Sequence, residues 1–162
     1  MKLSNPVQYY DECTQNWTTL SKFPTVPGNK NTILPDSVVA VKGELYLSST
    51  DGDSQSRRHK FVKLTHPCAN FPVGRWQILP HIPTESVRHC FHPLLHVNGN
   101  IYAIGGAQNG GLCEVFCINT NSWRSMAPNP KPWKSHGSGQ MMGEVYGEKI
   151  IMYNPMTKRI QG

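Results

Sequence analysis

The sequence predicts an all-β protein assembled from repeated units of short antiparallel strands, and three observations carry that prediction. Gly (14) and Pro (13) together supply about one residue in six, against a usual share of about 12%, so Pro or Gly interrupts nearly every window that would have to hold a long helix. A strand–turn–strand pattern, Gly-x-(aliphatic)-Tyr after an apolar run, occurs three times. An aromatic residue followed seven positions later by Trp occurs twice, and a third time with Ile in place of Trp. A repeat period decides the architecture before any local assignment does.

Taken along the chain, the first element is a strand pair around a polar turn, Asp11 to Asn16, with Tyr10 on one strand and Trp17 on the other. Next comes Val38 to Leu47, in which Gly43 sits at the turn and Tyr46 follows it. Gly supplies the positive φ a two-residue hairpin demands, and the flanking β-branched and aromatic residues suit half-buried strands. An insertion around Pro67 to Val73 separates this hairpin from Trp76, and Ile78-Leu79-Pro80 marks the exit. The third unit predicts strands over Phe91 to Val97, Asn100 to Gly105, Glu114 to Asn119 and Trp123 to Ala127, with Gly99 at its turn and Tyr102, Phe116 and Trp123 as its aromatics. The last unit places Gly143 at the turn and Tyr146 after it, then Tyr153 and Ile160 where the aromatic and Trp recur. Gly43 to Gly99 spans 56 residues and Gly99 to Gly143 spans 44.

Composition narrows the function classes. Four Trp, six Tyr and five Phe supply more burial than a disordered chain carries. The net charge of +6 permits an acidic partner, but the basic residues are scattered, and only Arg57-Arg58-His59-Lys60 forms a run, so no nucleic acid is expected. With a mean hydropathy of -0.45 and no apolar stretch near the roughly 20 residues of a spanning helix, no membrane segment is expected. Met1 to Pro6 has no apolar core of signal-peptide type, which leaves a cytoplasmic location as the expectation. Five Cys at irregular spacing (Cys13, Cys68, Cys90, Cys113, Cys117) fit free thiols better than a disulfide framework. Cys113 and Cys117, on one strand face about 13 Å apart, cannot bridge each other.

With these residues in place, the chain resembles the kelch-repeat family, whose period is about 50 residues and whose four-stranded units are the blades of a β-propeller. The third unit carries the resemblance best: Val97-Asn98-Gly99-Asn100-Ile101-Tyr102-Ala103-Ile104-Gly105-Gly106, then Phe116 and Trp123. In the second unit Ser48-Ser49 replace the double glycine, and in the last Gly147 stands alone with the following loop nearly deleted. The resemblance implies a kelch-type propeller fragment of about three to four four-stranded blades. These are the end of a first blade (1–24), two blades (33–83 and 86–130) and a degenerate one (131–162). Six blades at this period need about 300 residues, so the ring is incomplete, and self-association through its open edges is expected. Trp17, Trp76, Trp123, Tyr46 and Tyr102 would pack between blades.

The resemblance also implies a function: a non-enzymatic protein-interaction module, similar to the substrate-recognition propellers of kelch-like ubiquitin-ligase adaptors, binding a peptide segment through loops on one face. The alternative within the fold is an actin-binding cytoskeletal scaffold. The loops of that face would be Thr50 to Lys60, Pro83 to His89, Ala107 to Leu112 and Pro128 to His136, carrying Arg57, Arg58, Arg88, His89, Trp133, Lys134 and His136. Arg recognises carboxylates bidentately, so an acidic peptide or a cullin-ligase substrate is the expected partner.

No cofactor or metal is expected. His89-Cys90-x-His92 with His96 contains zinc-ligand types, but His92 and His96 alternate along a strand and the paired short spacing of a structural site is missing. The chain has no nucleophile elbow, phosphate loop or HExxH motif. Copper radical oxidases of the galactose oxidase type share the propeller, yet the Tyr–Cys crosslink and copper ligands they require match nothing here. The triplet Asn16-Trp17-Thr18 reads as incidental to its turn and strand, not as a glycosylation acceptor.

Overall fold

The computed structural model describes residues 6–22, 34–50, 59–65, 74–83, 93–104, 113–127, 142–154 and 159–161. Among the described residues, thirteen strands fall into four antiparallel sheets and there is no helix. The first sheet pairs β1 (Pro6–Asp11) with β2 (Asn16–Lys22). The second runs in sequence order through β3 (Leu34–Val41), β4 (Glu44–Thr50), β5 (His59–Thr65) and β6 (Arg75–Leu79). The third does the same with β7 (Leu94–Val97), β8 (Asn100–Ile104), β9 (Cys113–Cys117) and β10 (Ser122–Ser125). The fourth holds β11 (Met142–Tyr146), β12 (Lys149–Asn154) and β13 (Arg159–Gln161). Consecutive antiparallel strands within each sheet, with no closed sheet among the described residues, make this the all-β architecture of a partial propeller.

The turns repeat residue for residue. Val41 pairs with Glu44 across Lys42 (φ 50°) and Gly43 (φ 80°), and Val97 pairs with Asn100 across Asn98 (φ 48°) and Gly99 (φ 75°). Two positive φ angles in a two-residue loop define a type I′ turn, whose twist matches that of the strands. Four-residue turns join β1 to β2 and β9 to β10, and each reaches positive φ at its last residue, Gln15 (55°) and Asn121 (52°). Asp11 secures the first of them by accepting hydrogen bonds from the amides of Cys13 (2.9 Å) and Thr14 (3.4 Å).

Two apolar layers hold neighbouring sheets together. Between the second and third lie Val41, Tyr46, Phe61, Leu79, Leu94, Ile101, Ala103 and Phe116, with Val39, Ile118 and Trp123 against them. The Phe61 ring stands 5.0 Å from both Phe116 and Trp123, edge-on in each case, an arrangement that adds dispersion and quadrupole attraction to burial. Two hydrogen bonds cross the same boundary, from Leu94 N to Ser37 Oγ (2.8 Å) and from Trp123 Nε1 to the Pro80 carbonyl (2.9 Å). Between the third and fourth sheets lie Leu95, Ile104, Cys113 and Met152, with Tyr102, Met126, Val145 and Ile150.

The fourth sheet departs from the sequence reading. Gly143 is not at a turn; it lies within β11, paired with Met152, and the turn is Gly147-Glu148, with Gly147 at φ 60°. Gly143 is needed there for close approach, because a Cβ would stand 2.7 Å from Met152 Sδ and 2.8 Å from Leu95 Cδ1. Packing corrects the order of the strands too: β7 packs on β3 on one side and on β11 on the other. β11 therefore occupies the first-strand position and β12 the second. Tyr153 pairs with Ile160, the register of Tyr10 with Trp17 and of Phe116 with Trp123. It lies on the opposite face, however, since its neighbour Met152 is the residue buried against the third sheet.

Candidate interaction face

Antiparallel order gathers the strand connections at two ends. The short turns form one end, tied together by Ile118 N to Gly99 O (3.2 Å) within the third sheet and by Asn98 Nδ2 to Glu148 Oε1 (3.2 Å) between the third and fourth. At the other end β4 and β8 finish, β5 and β9 begin, and the chain leaves β6 and β10 for the next sheet. The residues singled out for partner binding, Arg57, Arg58, Arg88, His89, Trp133, Lys134 and His136, belong to connections leaving that second end and lie outside the described residues, as do Gly105 and Gly106.

What is described there is the platform. Ser48 and Ser49, the substitutes for the double glycine, are fully buried at the end of β4, and Glu114, the second residue of β9, is 1% exposed. All three stand near the strand ends that carry the connections. Polar side chains so deeply buried cost desolvation unless they are bonded. The Ser48 hydroxyl has no partner among the described residues, and neither does His96 Nε2. Ser48 pairs with Phe61, and His96 pairs with Ile101, so both point into the layer between the second and third sheets. Sequence reasoning passed over Glu114; its available signal was a carboxylate inside the otherwise apolar strand Cys113-Glu114-Val115-Phe116-Cys117.

The aromatics expected to pack between blades divide sharply. Tyr46 is 2% exposed, Trp76, Tyr102 and Trp123 are half-buried, and Trp17 stands 69% exposed with the Tyr10 ring beside it. Trp17 thus departs from the expectation, because no described sheet covers its face. Tyr46 is held by more than packing. Its hydroxyl donates to Glu44 Oε2 (3.0 Å), and Glu44 Oε1 meets Lys63 Nζ at 3.0 Å. Burial first, and the Glu44 carboxylate second, push the Tyr46 phenol up to about 12.

Among the described residues no group of three His, Cys, Asp or Glu is placed to hold an ion. No helix among them is long and apolar enough to cross a membrane. Cys113 is buried, Cys117 half-buried and Cys13 exposed, all three as free thiols. Hydrogen bonds from the Thr120 hydroxyl and amide hold the Cys117 thiol below its ordinary value, aided by the Asn119 amide and the Arg124 charge. A shallow groove of about 630 Å3 runs along the edge strand β6, lined by Thr65, Arg75, Trp76, Gln77 and Ile78. Its described lining residues include no nucleophile–base pair, and they lie away from the connection-bearing end.

Comparison with known proteins agrees with this geometry. The kelch motif model matches residues 88–130, the segment that holds the third sheet. The human Kelch-like protein 30 is 30% identical over 84 residues. That match covers 48% of this chain and 14% of the relative, so the chain spans only a small part of that protein's length.

Proposed function

The chain belongs to the kelch-repeat β-propeller family, and from that premise we propose that it docks an acidic peptide segment on the connection-bearing end of its sheets. The general role, a protein-interaction module, is that of the family. The finer reading rests chiefly on one observation: the second, third and fourth sheets are tied in sequence by apolar layers and inter-sheet hydrogen bonds, while the connections at one end carry Arg57, Arg58 and Arg88. A rigid scaffold that concentrates variable polar chemistry in loops is the usual division of labour in recognition proteins. Arg57, Arg58 and Arg88 give those connections guanidinium groups suited to carboxylates, and the net charge of +6 favours encounter with an acidic segment.

In this reading the docked segment is a recognition sequence in another protein, and the module serves as the substrate-recognition part of a cullin-type ubiquitin ligase. The test is binding of a fluorescently labelled Asp/Glu-rich peptide, followed by anisotropy. Reversing charge at Arg57, Arg58 and Arg88 together should weaken binding by about tenfold or more, roughly 1.4 kcal/mol. It should also flatten the salt dependence. Equal affinity for the reversed and unmodified chains would remove the acidic-peptide reading.

A further inference from the structure

At the short-turn end, a hydrogen bond between the third and fourth sheets is made by a chemically labile group. Asn98 and Gly99 are the two residues of the β7–β8 turn, with φ of 48° and 75°. Asn98 stands exposed, and its Nδ2 donates to Glu148 Oε1 of the β11–β12 turn at 3.2 Å. Asparagine is among the side chains that chemical degradation attacks first, and two conditions for loss of its amide meet here. The next residue is Gly, whose missing side chain leaves its main-chain nitrogen open to approach, and a Cβ built on Gly99 would meet nothing within 4 Å. Exposure also gives water access to the amide. The matching turn of the second sheet has the same backbone but places Lys42 before Gly43, so it lacks the reactive group.

We propose that Asn98 is a deamidation site whose reaction is restrained by docking of the fourth sheet and, once complete, undoes the tie that restrained it. The Gly99 nitrogen attacks Asn98 Cγ and closes a succinimide ring. The proton lost from the Gly99 nitrogen leaves with the side-chain nitrogen as ammonia, and water then opens the ring to an aspartyl or isoaspartyl residue. One water is consumed, one ammonia is released and no electrons are transferred. In the docked state the attack is held back twice. The bond to Glu148 resists the side-chain rotation that brings Cγ over the Gly99 nitrogen. Bonds from Asn100 Nδ2 to the Asn98 carbonyl (3.2 Å) and from Ile118 N to the Gly99 carbonyl (3.2 Å) steady the turn itself. The reaction therefore proceeds when the two turns part. Its product carries a carboxylate where the donor stood, and an ionised carboxylate only accepts, so it meets Glu148 as a like charge. The apolar layer of Leu95, Ile104, Cys113 and Met152 remains, so the fourth sheet is loosened at one end and not released.

Incubation of the 162-residue chain near neutral pH, followed by peptide mapping in a mass spectrometer, tests this. Asn109-Gly110, the other Asn-Gly pair in the sequence, is the internal reference. Asn98 should convert, and Glu148→Ala should speed that conversion relative to Asn109 by roughly three- to tenfold, the factor to which one hydrogen bond corresponds. The consequence is read separately, in thermal melts. Asn98→Asp should lower the midpoint by about 2–4 °C, and adding Glu148→Gln, whose amide can donate to the new carboxylate, should recover most of the loss. Both positions are exposed, so the variants keep the fold. An Asn98 amide that persists in both the parent and the Glu148→Ala chain, a rate at Asn98 that ignores Glu148→Ala, or a midpoint loss that Glu148→Gln leaves in place would overturn the proposal.

Discussion

Tyr46 shows how one side chain ties packing to titration. Its ring lies in the layer between sheets, 5.9 Å from Phe61 and 6.5 Å from Phe116, while its hydroxyl reaches Glu44 at 3.0 Å. Because the phenol is pushed from 10.0 to about 12, the folded state resists ionisation that the unfolded chain accepts. This contribution is complete below pH 10 and is lost as pH rises toward 12. Tyr46→Phe should therefore be less stable at pH 7 by about 1 kcal/mol, the net worth of one hydrogen bond. Its deficit should shrink or reverse at pH 11, as read from urea melts at the two values. Cys117 titrates the other way. With its thiol lowered by the Thr120 hydrogen bonds, Thr120→Val should slow alkylation of Cys117 near neutral pH severalfold, since the thiolate is the nucleophile. Exposed Cys13 is the internal control in the same peptide map.

At the scale of elements, the aromatic layer between the second and third sheets buries large side chains from both. Phe61 is fully buried and joins the second sheet to both aromatics of the third. Phe61→Ala should cost about 3–5 kcal/mol, the range for emptying a packed aromatic site. Trp17→Ala, in an equivalent register but an uncovered face, should fall within about 0.5 kcal/mol in dilute chain. Denaturant midpoints of the two variants check the contrast. The hairpins at Gly43 and Gly99 were legible in sequence because a type I′ turn leaves a local mark that needs no tertiary partner. The last hairpin was misplaced by four residues for the opposite reason. Gly143 and Gly147 are both glycines near a Tyr, and only packing against Leu95 and Met152 separates a glycine kept for close approach from one kept for its φ.

For the whole molecule, the described surfaces divide by role. Large apolar side chains stand exposed on the first sheet (Tyr10, Trp17), the second (Val38, Ile78) and the fourth (Met142, Tyr146), and the connections carry Arg57, Arg58 and Arg88. In the proposed reading, peptide docking therefore belongs to the connections and not to these apolar faces. Reversing Arg57, Arg58 and Arg88 should leave the thermal melt unchanged, and Trp17→Ser should leave peptide affinity unchanged. Loss of peptide affinity in Trp17→Ser would remove the assignment of docking to the connections.

The sequence by itself determined the strand content, the repeat and the aromatic pairs, because each is written in local spacing: two residues across a turn, seven from aromatic to Trp, about fifty from unit to unit. Much of the candidate site was legible only as loop composition, and its buried platform of Ser48, Ser49 and Glu114 was not. Burial is a property of the neighbouring sheet, which no local pattern records. Tertiary structure alone decided which face each aromatic shows, why Trp123 is covered while Trp17 is not, and that β11 takes the first-strand position. Identical side chains in identical registers differ there only in whether another sheet lies against them.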